Sequence, residues 1–361
     1  MCRAFNIDRI LSRFFNPPLA FRQLQARTGT LISGSAALQF FDRSFYKESD
    51  LDIYVPKKYR VEAGEFLLRC GYSFIPGQRQ EATFYKAVEQ RRVTDDAGAY
   101  AFRGVAAVLT FEKPAASGSA VNLKVQLIVA AKSPMEIILN FHSTCVMNVI
   151  SFENAYSLYP KATFEARSSL VCATDGPKQE PAMEKYKERG WTMVKQTSVA
   201  ELKDLFHFKR ASCRYMGDKY CWTIPLDKDS ITELVQPGIG KVSSMLTHDP
   251  VAASNWKLIY NPILGGSMHF DSLSETHLEL KYVYASEQMV SLLYSVTSLF
   301  PSHEVRARRL KGVQRYYDEE YISLCLLHFQ FQSGLQAIVE TVAKDYMLPS
   351  HSGARLLQDD D

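Results

Sequence analysis

The chain has no run of about 18 consecutive apolar residues, the length a helix needs to cross the hydrocarbon core of a bilayer. Its first residues also lack the uninterrupted apolar segment of a secretory signal, because Arg3, Asp8, Arg9 and Arg13 interrupt the apolar positions. These absences argue against a membrane partner. They favour a soluble cytoplasmic protein, with the nucleus as the alternative compartment.

An excess of charge of one sign is missing as well. The 361 residues include 42 Lys and Arg against 39 Asp and Glu, a net charge of +3, so no overall basic field demands a nucleic-acid partner. The seven cysteines are scattered and odd in number, which favours reduced thiols in an intracellular compartment. With 46% hydrophobic and 22% charged residues, the composition is that of a folded globular protein of two to three domains.

A strand, a glycine turn and a helix are predicted near the N-terminus. Residues 30–32 form an apolar strand that ends at the turn around Gly34 and Ser35, and residues 36–41 then open a helix. Such a turn can offer backbone N–H groups, the Ser35 hydroxyl and a helix N-terminus to a phosphate.

Two carboxylates follow on the next predicted strand, residues 50–55. The strand period of two places Asp50 and Asp52 on one face and turns Leu51 into the core. Their Cα atoms would lie roughly 6.6 Å apart, close enough for both carboxylates to share Mg²⁺ or Mn²⁺. The alternative is that the two acids only solvate the outer face of the strand. The preceding Gly34-Ser35 turn favours the metal site.

Gly34-Ser35, fourteen further residues and then Asp50-Leu51-Asp52 resemble the G-S…D-x-D signature of the nucleotidyltransferase superfamily related to DNA polymerase β. The likeness covers roughly residues 28–150. The stretches Phe141 to Thr144 and Tyr159-Pro160 also resemble uncharacterised fungal proteins that carry this domain. The resemblance implies an α+β fold with a nucleotidyltransferase-like mixed β-sheet flanked by helices.

The resemblance further implies that Asp50 and Asp52 are catalytic residues that bind two metal ions, while Gly34 and Ser35 hold a nucleoside triphosphate. Lys57, which follows the second strand, is a candidate phosphate contact, although a basic residue at a helix start is usually just solvated. Active members carry a third carboxylate on a neighbouring strand.

The neighbouring strand should belong to an antiparallel hairpin formed by residues 105–112 and 121–129. The third acid then aligns with Gln126, or with Lys124 if the register slips. Neither side chain is a carboxylate, and an amide is a poorer metal ligand that cannot act as a base. Glu112 on the partner strand is the nearest substitute. Gln126 is therefore assigned to the nucleotide site.

Beyond residue 160 the sequence contains no recognised motif. We divide the chain into a nucleotidyltransferase-like domain, residues 1–160, and a mainly helical companion region of unknown role, residues 161–361. Residues 182–189 are predicted as a charged helix that ends at Gly190, and residues 201–210 and 286–343 as further helical segments. A basic segment at residues 306–315 is compatible with RNA, but a solvated helix face is the commoner explanation.

Two functional hypotheses remain open at this stage. The first is a metal-dependent nucleotidyltransferase that moves a nucleotidyl group from a nucleoside triphosphate to an unknown hydroxyl acceptor, weakened by the missing third carboxylate. The second is a non-catalytic nucleotide-binding or protein-interaction module on the same scaffold. A third possibility is that the match to the G-S…D-x-D signature is a coincidence and the protein is unrelated to the family. A structure with Ser35 far from Asp52 would reveal this.

Overall fold

The fold combines helices and strands throughout the part of the chain that the computed structural model describes. That part comprises residues 5–90, 103–114, 122–172, 179–195, 208, 213–228, 231, 245–261, 265–274, 278–285, 318–319 and 321–330.

Seven α-helices and fifteen strands have both ends within these ranges, besides the helical residues 321–330 and several short 3-10 and π turns. The helices are α1 (Asp8–Leu11), α2 (Pro18–Thr28), α3 (Gly34–Asp42), α4 (Arg60–Arg69), α5 (Phe84–Glu89), α6 (Pro134–Leu139) and α7 (Gln179–Glu188). The strands are β1 (Leu31–Ile32), β2 (Leu51–Pro56), β3 (Ser73–Ile75), β4 (Val105–Lys113), β5 (Leu123–Ala130), β6 (Asn148–Ile150), β7 (Asn154–Ser157), β8 (Ser168–Leu170), β9 (Thr192–Val194), β10 (Cys213–Tyr215), β11 (Trp222–Pro225), β12 (Asn255–Asn261), β13 (Gly265–His269), β14 (Asp271–Leu273) and β15 (Tyr282–Tyr284).

The main sheet has eight strands in the order β11-β7-β6-β1-β2-β5-β4-β3. Strands β2 and β5 run parallel, whereas every other neighbouring pair in this sheet is antiparallel. The predicted mixed sheet with flanking helices is therefore confirmed, as is the hairpin of β4 and β5. The parallel contact of β2 with β5 sets the carboxylate strand directly against the strand that carries Gln126.

Each face of the sheet packs on its own apolar core, because alternate side chains of a strand point to opposite faces. Leu51, Ile53 and Val55 of β2 join one core together with residues of α2 and α4. Tyr54 of the same strand joins the other core, which contains α6. The polar residues of interest lie on this second face.

Residues after 160 depart from the expected helical character. Within the described ranges they contribute eight strands, β8 to β15, besides α7 and the helical residues 321–330. The expectation of a mainly helical companion region is wrong for these ranges. Short strands bounded by turns are too short to show a clear alternation of polar and apolar residues, so the sequence did not reveal them. Strand β11 extends the main sheet, and the domain boundary at residue 160 stays a prediction. Residues 201–207, 209–210, 286–317 and 331–343 lie outside the described residues.

None of the helices in the described ranges is both long and apolar enough to traverse a lipid bilayer.

Candidate functional site

The carboxylate pair stands at the start of β2. Asp50 immediately precedes the strand, and Asp52 is its second residue. Asp52 pairs in register with Gln126 of β5, so the side chains of the two residues lie side by side on one face. The sequence left Gln126 and Lys124 as alternatives for the residue beside the acid pair, and in the structure Gln126 is the residue in register with Asp52.

The glycine turn meets Asp52 directly. Gly34, the first residue of α3, has a φ of +64°, in the left-handed region that favours glycine. A Cβ atom built on Gly34 would lie 3.0 Å from Asp52 Oδ2. Both the backbone conformation and the nearby carboxylate therefore favour glycine here. Gly34 and Asp52 are 18 positions apart in the sequence, and together they form one compact corner of the fold.

A cavity of about 280 Å³ opens over this corner. Gly34, Ser35, Asp52 and Gln126 form its polar side. The remaining wall is mainly apolar and comes from β4, β5, α6 and the segment after α6: Val105, Val108, Ile128, Ile137, Phe141 and Val146. A cavity with an apolar wall and a few converging polar groups is the usual form of a small-molecule site.

Asp50 already has two partners. Lys124 Nζ lies 3.1 Å from Asp50 Oδ2, and Gln126 Nε2 donates a hydrogen bond to the same oxygen at 3.2 Å. Glu112 pairs with Lys124 one strand farther away, roughly 10 Å from β2 at the usual strand spacing, and so does not complete the acid pair. Within the described ranges, no cluster of three or more His, Cys, Asp and Glu side chains is arranged to hold a metal ion.

The protonation of Asp52 differs from that of an ordinary carboxylate. Burial first, and then the nearby charge of Asp50, raise the pKa of Asp52 to about 7. Lys185 and Lys124 act in the opposite direction but do not cancel these effects. The side chain keeps partial exposure toward the cavity. Near neutral pH the group can therefore gain or lose a proton when a charged ligand binds.

Helix α7 closes the site from a distant part of the chain. Tyr186 and Ser35 share a hydrogen bond of 2.9 Å between their hydroxyl oxygens. Arg189 Nη1 donates to Ser35 Oγ at 3.2 Å, and its guanidinium stacks 3.7 Å from the centre of the Tyr46 ring. Ser35, predicted to hold a triphosphate, is thus engaged by two side chains that sequence reasoning did not identify.

Lys185 is a second residue of α7 that the sequence did not single out. It is exposed, lines the cavity and makes no ion pair with a described residue. Partial burial and the charge of Arg189 lower the pKa of Lys185, whereas Asp52 and Asp50 oppose this change. Its ammonium group is available to an anion bound at the polar side of the cavity.

His142 faces the same cavity in its neutral form. The side chain is 8% exposed, and its Nδ1 atom has no hydrogen-bond partner among the described residues. Burial, with a further contribution from the charge of Lys185, lowers the pKa of His142 to about 4. Its ring lies 5.8 Å from that of Tyr186. A buried imidazole nitrogen without a partner is an available hydrogen-bonding group for a ligand.

Lys57 does not belong to this constellation. It is exposed in a short 3-10 turn, Lys57–Tyr59, after the opposite end of β2. It lies five positions after Asp52, roughly 16 Å along an extended strand. Lys57 is not among the residues that line the cavity, so its assignment to the nucleotide site stays a prediction.

Comparison of the chain with protein-family models, with curated proteins and with solved structures found no match. The resemblance to nucleotidyltransferases therefore rests on the residues of the chain itself, chiefly the Gly34-Ser35 turn and the Asp50 and Asp52 pair.

Proposed function

We propose that the chain is a nucleotidyltransferase-like protein that binds a nucleoside triphosphate, together with a divalent cation, in the cavity over Asp52. The observation that carries the proposal is the close approach of the glycine turn to the carboxylate, with 3.0 Å between Asp52 Oδ2 and a Cβ built on Gly34. Ser35 and Asp52 line one cavity. A coincidental sequence match would have no reason to bring them together.

The residues of the cavity suit the parts of a nucleotide. The apolar wall around Phe141 can receive a base, and the N–H groups at the start of α3 together with Lys185 can receive phosphate oxygens. Asp52 and the remaining oxygen of Asp50 can hold Mg²⁺ or Mn²⁺, which would neutralise phosphate charge. This donor set fits one cation better than two.

Transfer of the nucleotidyl group to an acceptor hydroxyl is the weaker part of the proposal. Gln126 stands where a third carboxylate is expected, and an amide cannot take a proton from the attacking hydroxyl. Asp52, the one carboxylate among the residues that line this cavity, would be a cation ligand in the loaded site and would therefore be a poor base for that proton. We expect slow transfer at most, to an acceptor that the site does not identify.

The second candidate is a module that binds a nucleotide without transferring it. The contact between Lys124 Nζ and Asp50 Oδ2, 3.1 Å, favours this function because an internal ammonium group already provides the positive charge that a metal ion would supply. Such a module would bind nucleotide with little dependence on divalent cations.

Isothermal titration separates these functions. ATP, CTP, GTP and UTP are titrated into the wild type with Mg²⁺, with Mn²⁺ or with a chelator, and then into the Asp50→Asn/Asp52→Asn variant. The transferase hypothesis expects binding that requires the cation and is lost in the variant. Binding that persists with chelator and is weakened by Lys185→Ala, a substitution in this cavity, favours the non-catalytic module. The Lys57→Ala variant is the matched control and should bind as the wild type does.

Absence of nucleotide binding under every condition would overturn the proposal. If binding requires the cation, a nucleotide labelled at the α-phosphate then reports transfer, because label retained on an acceptor distinguishes an enzyme from a binding protein.

A further inference from the structure

A second cavity, of about 490 Å³, opens beside Asp50. It lies between α1, α3 and the loop that follows α3, and shares no lining residue with the cavity over Asp52. Its volume falls in the range of roughly 300–1,000 Å³ that is typical of small-molecule sites. Of the residues that carry the G-S…D-x-D resemblance, Asp50 alone lines this cavity.

The lining of this cavity is strongly basic. Arg9, Arg13 and Arg43 contribute three guanidinium groups, and Asp50, which already pairs with Lys124, contributes the one carboxylate among the lining residues. Neither Arg9 nor Arg43 has a hydrogen bond or ion pair from its guanidinium to a described residue, and both are exposed. Two guanidinium groups that have no partner among the described residues and belong to the lining of one cavity fit an anion with several oxygens, above all a phosphate.

Arg43 has a backbone conformation that is unusual for a residue other than glycine. It follows the last residue of α3 with a φ of +55°, the left-handed conformation in which glycine is favoured over an L-residue with a long side chain. The fold thus carries a conformational cost at the residue whose guanidinium lines the cavity. Such outliers concentrate at binding sites.

An aromatic surface adjoins these charges. Phe45 is 72% exposed although it lines the cavity. Arg13 fixes the loop beneath it by donating hydrogen bonds to the carbonyl oxygens of Tyr46 and Lys47, and its guanidinium lies 5.6 Å from the centre of the Phe45 ring. An exposed ring beside cationic groups is a stacking surface for a nucleobase.

We propose that this cavity is a second site, which binds a nucleoside phosphate with its phosphate on Arg9 and Arg43 and its base on Phe45. A phosphate next to a base is found both in a free mononucleotide and in the terminal nucleotide of a single-stranded nucleic acid, so either could be the ligand. The site does not depend on the proposed function of the cavity over Asp52, because none of its contacts requires a divalent cation.

Fluorescence anisotropy in the presence of a chelator tests the site. A labelled single-stranded eight-nucleotide RNA is titrated with the wild type, and unlabelled AMP is then added as competitor. Binding that AMP displaces identifies the mononucleotide as the ligand, whereas binding that AMP leaves intact identifies the nucleic-acid end. Either result supports the site, and no binding of RNA or AMP overturns it.

Substitutions of lining residues test whether the ligand binds in this cavity. Arg43→Gly suits the left-handed backbone and should fold at least as well as the wild type, yet weaken binding roughly tenfold or more by removing a charge-assisted contact. Phe45→Ala should weaken binding of the same ligand by roughly fivefold or more. Unchanged affinity in Arg43→Gly overturns the assignment.

Two controls separate this site from general charge and from the other cavity. Lys57→Ala also removes one exposed positive charge, outside both cavities, and should leave the affinity unchanged. An equal loss in Lys57→Ala and Arg43→Gly would show non-specific attraction and overturn the site. The Asp52→Asn variant changes a side chain that lines only the other cavity, so it should keep the chelator-resistant binding even where it abolishes cation-dependent binding of a triphosphate. Loss of binding in that variant would also overturn the assignment.

Discussion

Lys124 Nζ lies 3.1 Å from Asp50 Oδ2, so an ammonium group of β5 faces the carboxylate that precedes β2. Gln126 donates to the same oxygen. Together the two side chains satisfy one oxygen of Asp50 without a metal ion. A cation proposed to bind at Asp50 would therefore compete with Lys124.

Removal of the Lys124 charge should strengthen cation binding. In Lys124→Met the ammonium group no longer competes with a cation for Asp50, and because both side chains are about one-third exposed, the pair is worth only about 1 kcal/mol. We expect the affinity for Mn²⁺ to rise roughly fivefold in isothermal titration, the factor that corresponds to this energy. Lys57→Met, with the same change at the far end of β2, should bind Mn²⁺ as the wild type does. Equal affinities for Mn²⁺ in the wild type and both variants would show that Lys124 does not compete with the cation for Asp50.

The free energy of unfolding should depend on pH through Asp52. Because its pKa is raised to about 7 in the folded state, the folded protein holds a proton between about pH 4 and 7 that the unfolded chain releases. Stability therefore falls as the pH rises through this window. Asp52→Asn removes the effect and should be more stable at pH 8, by up to about 4 kcal/mol, but little changed at pH 4.

Urea denaturation in a chelator, from pH 4 to 8, measures this difference. Asp50→Asn serves as a second variant because it removes the neighbouring charge but leaves Asp52 buried. Since burial is the larger cause of the raised pKa, Asp50→Asn should retain most of the pH dependence. A pH profile for Asp52→Asn that parallels the wild type would show that another group is responsible.

The local parts of the site could be predicted from the sequence because each has a local physical cause. Alternation of polar and apolar residues predicts strand β2, and Asp52 and Tyr54 indeed line one cavity. Ser133 before Pro134 predicts the start of α6, where the Ser133 hydroxyl accepts a hydrogen bond from the Met135 N–H. Gly190, with a φ of +96°, follows the predicted charged helix.

The closure of the site could not be predicted in the same way. The contact of Tyr186 with Ser35 joins residues 151 positions apart, and no periodic pattern encodes which face of a charged helix will pack against a distant turn. Lys185 and Lys187 look equivalent in the sequence. Only the packing of α7 directs Lys185 to the cavity, while Lys187 pairs with Glu184 on the surface.

Gly34 should not tolerate alanine. In Gly34→Ala the left-handed backbone costs about 1 kcal/mol, and the new Cβ would lie 3.0 Å from Asp52 Oδ2, which adds a steric penalty. We expect a total loss of about 2–3 kcal/mol in the free energy of unfolding, measured by urea denaturation. Gly190→Ala is the matched control because its φ is also positive and no atom lies within 4 Å of its Cβ position. Equal losses in the two variants would argue against a close contact with Asp52.

The hydrogen bond between Tyr186 and Ser35 should make the effects of substituting the two residues depend on each other. Both side chains are buried, and the hydroxyl oxygens are 2.9 Å apart, so Tyr186→Phe should lower the free energy of unfolding by about 1 kcal/mol. In the Ser35→Ala background the same change should cost roughly half as much or less, because the partner is already gone. Tyr85→Phe, at a mostly exposed ring, is the control and should have little effect. Additive losses in this double-mutant cycle would mean that α7 is not coupled to the glycine turn through this bond.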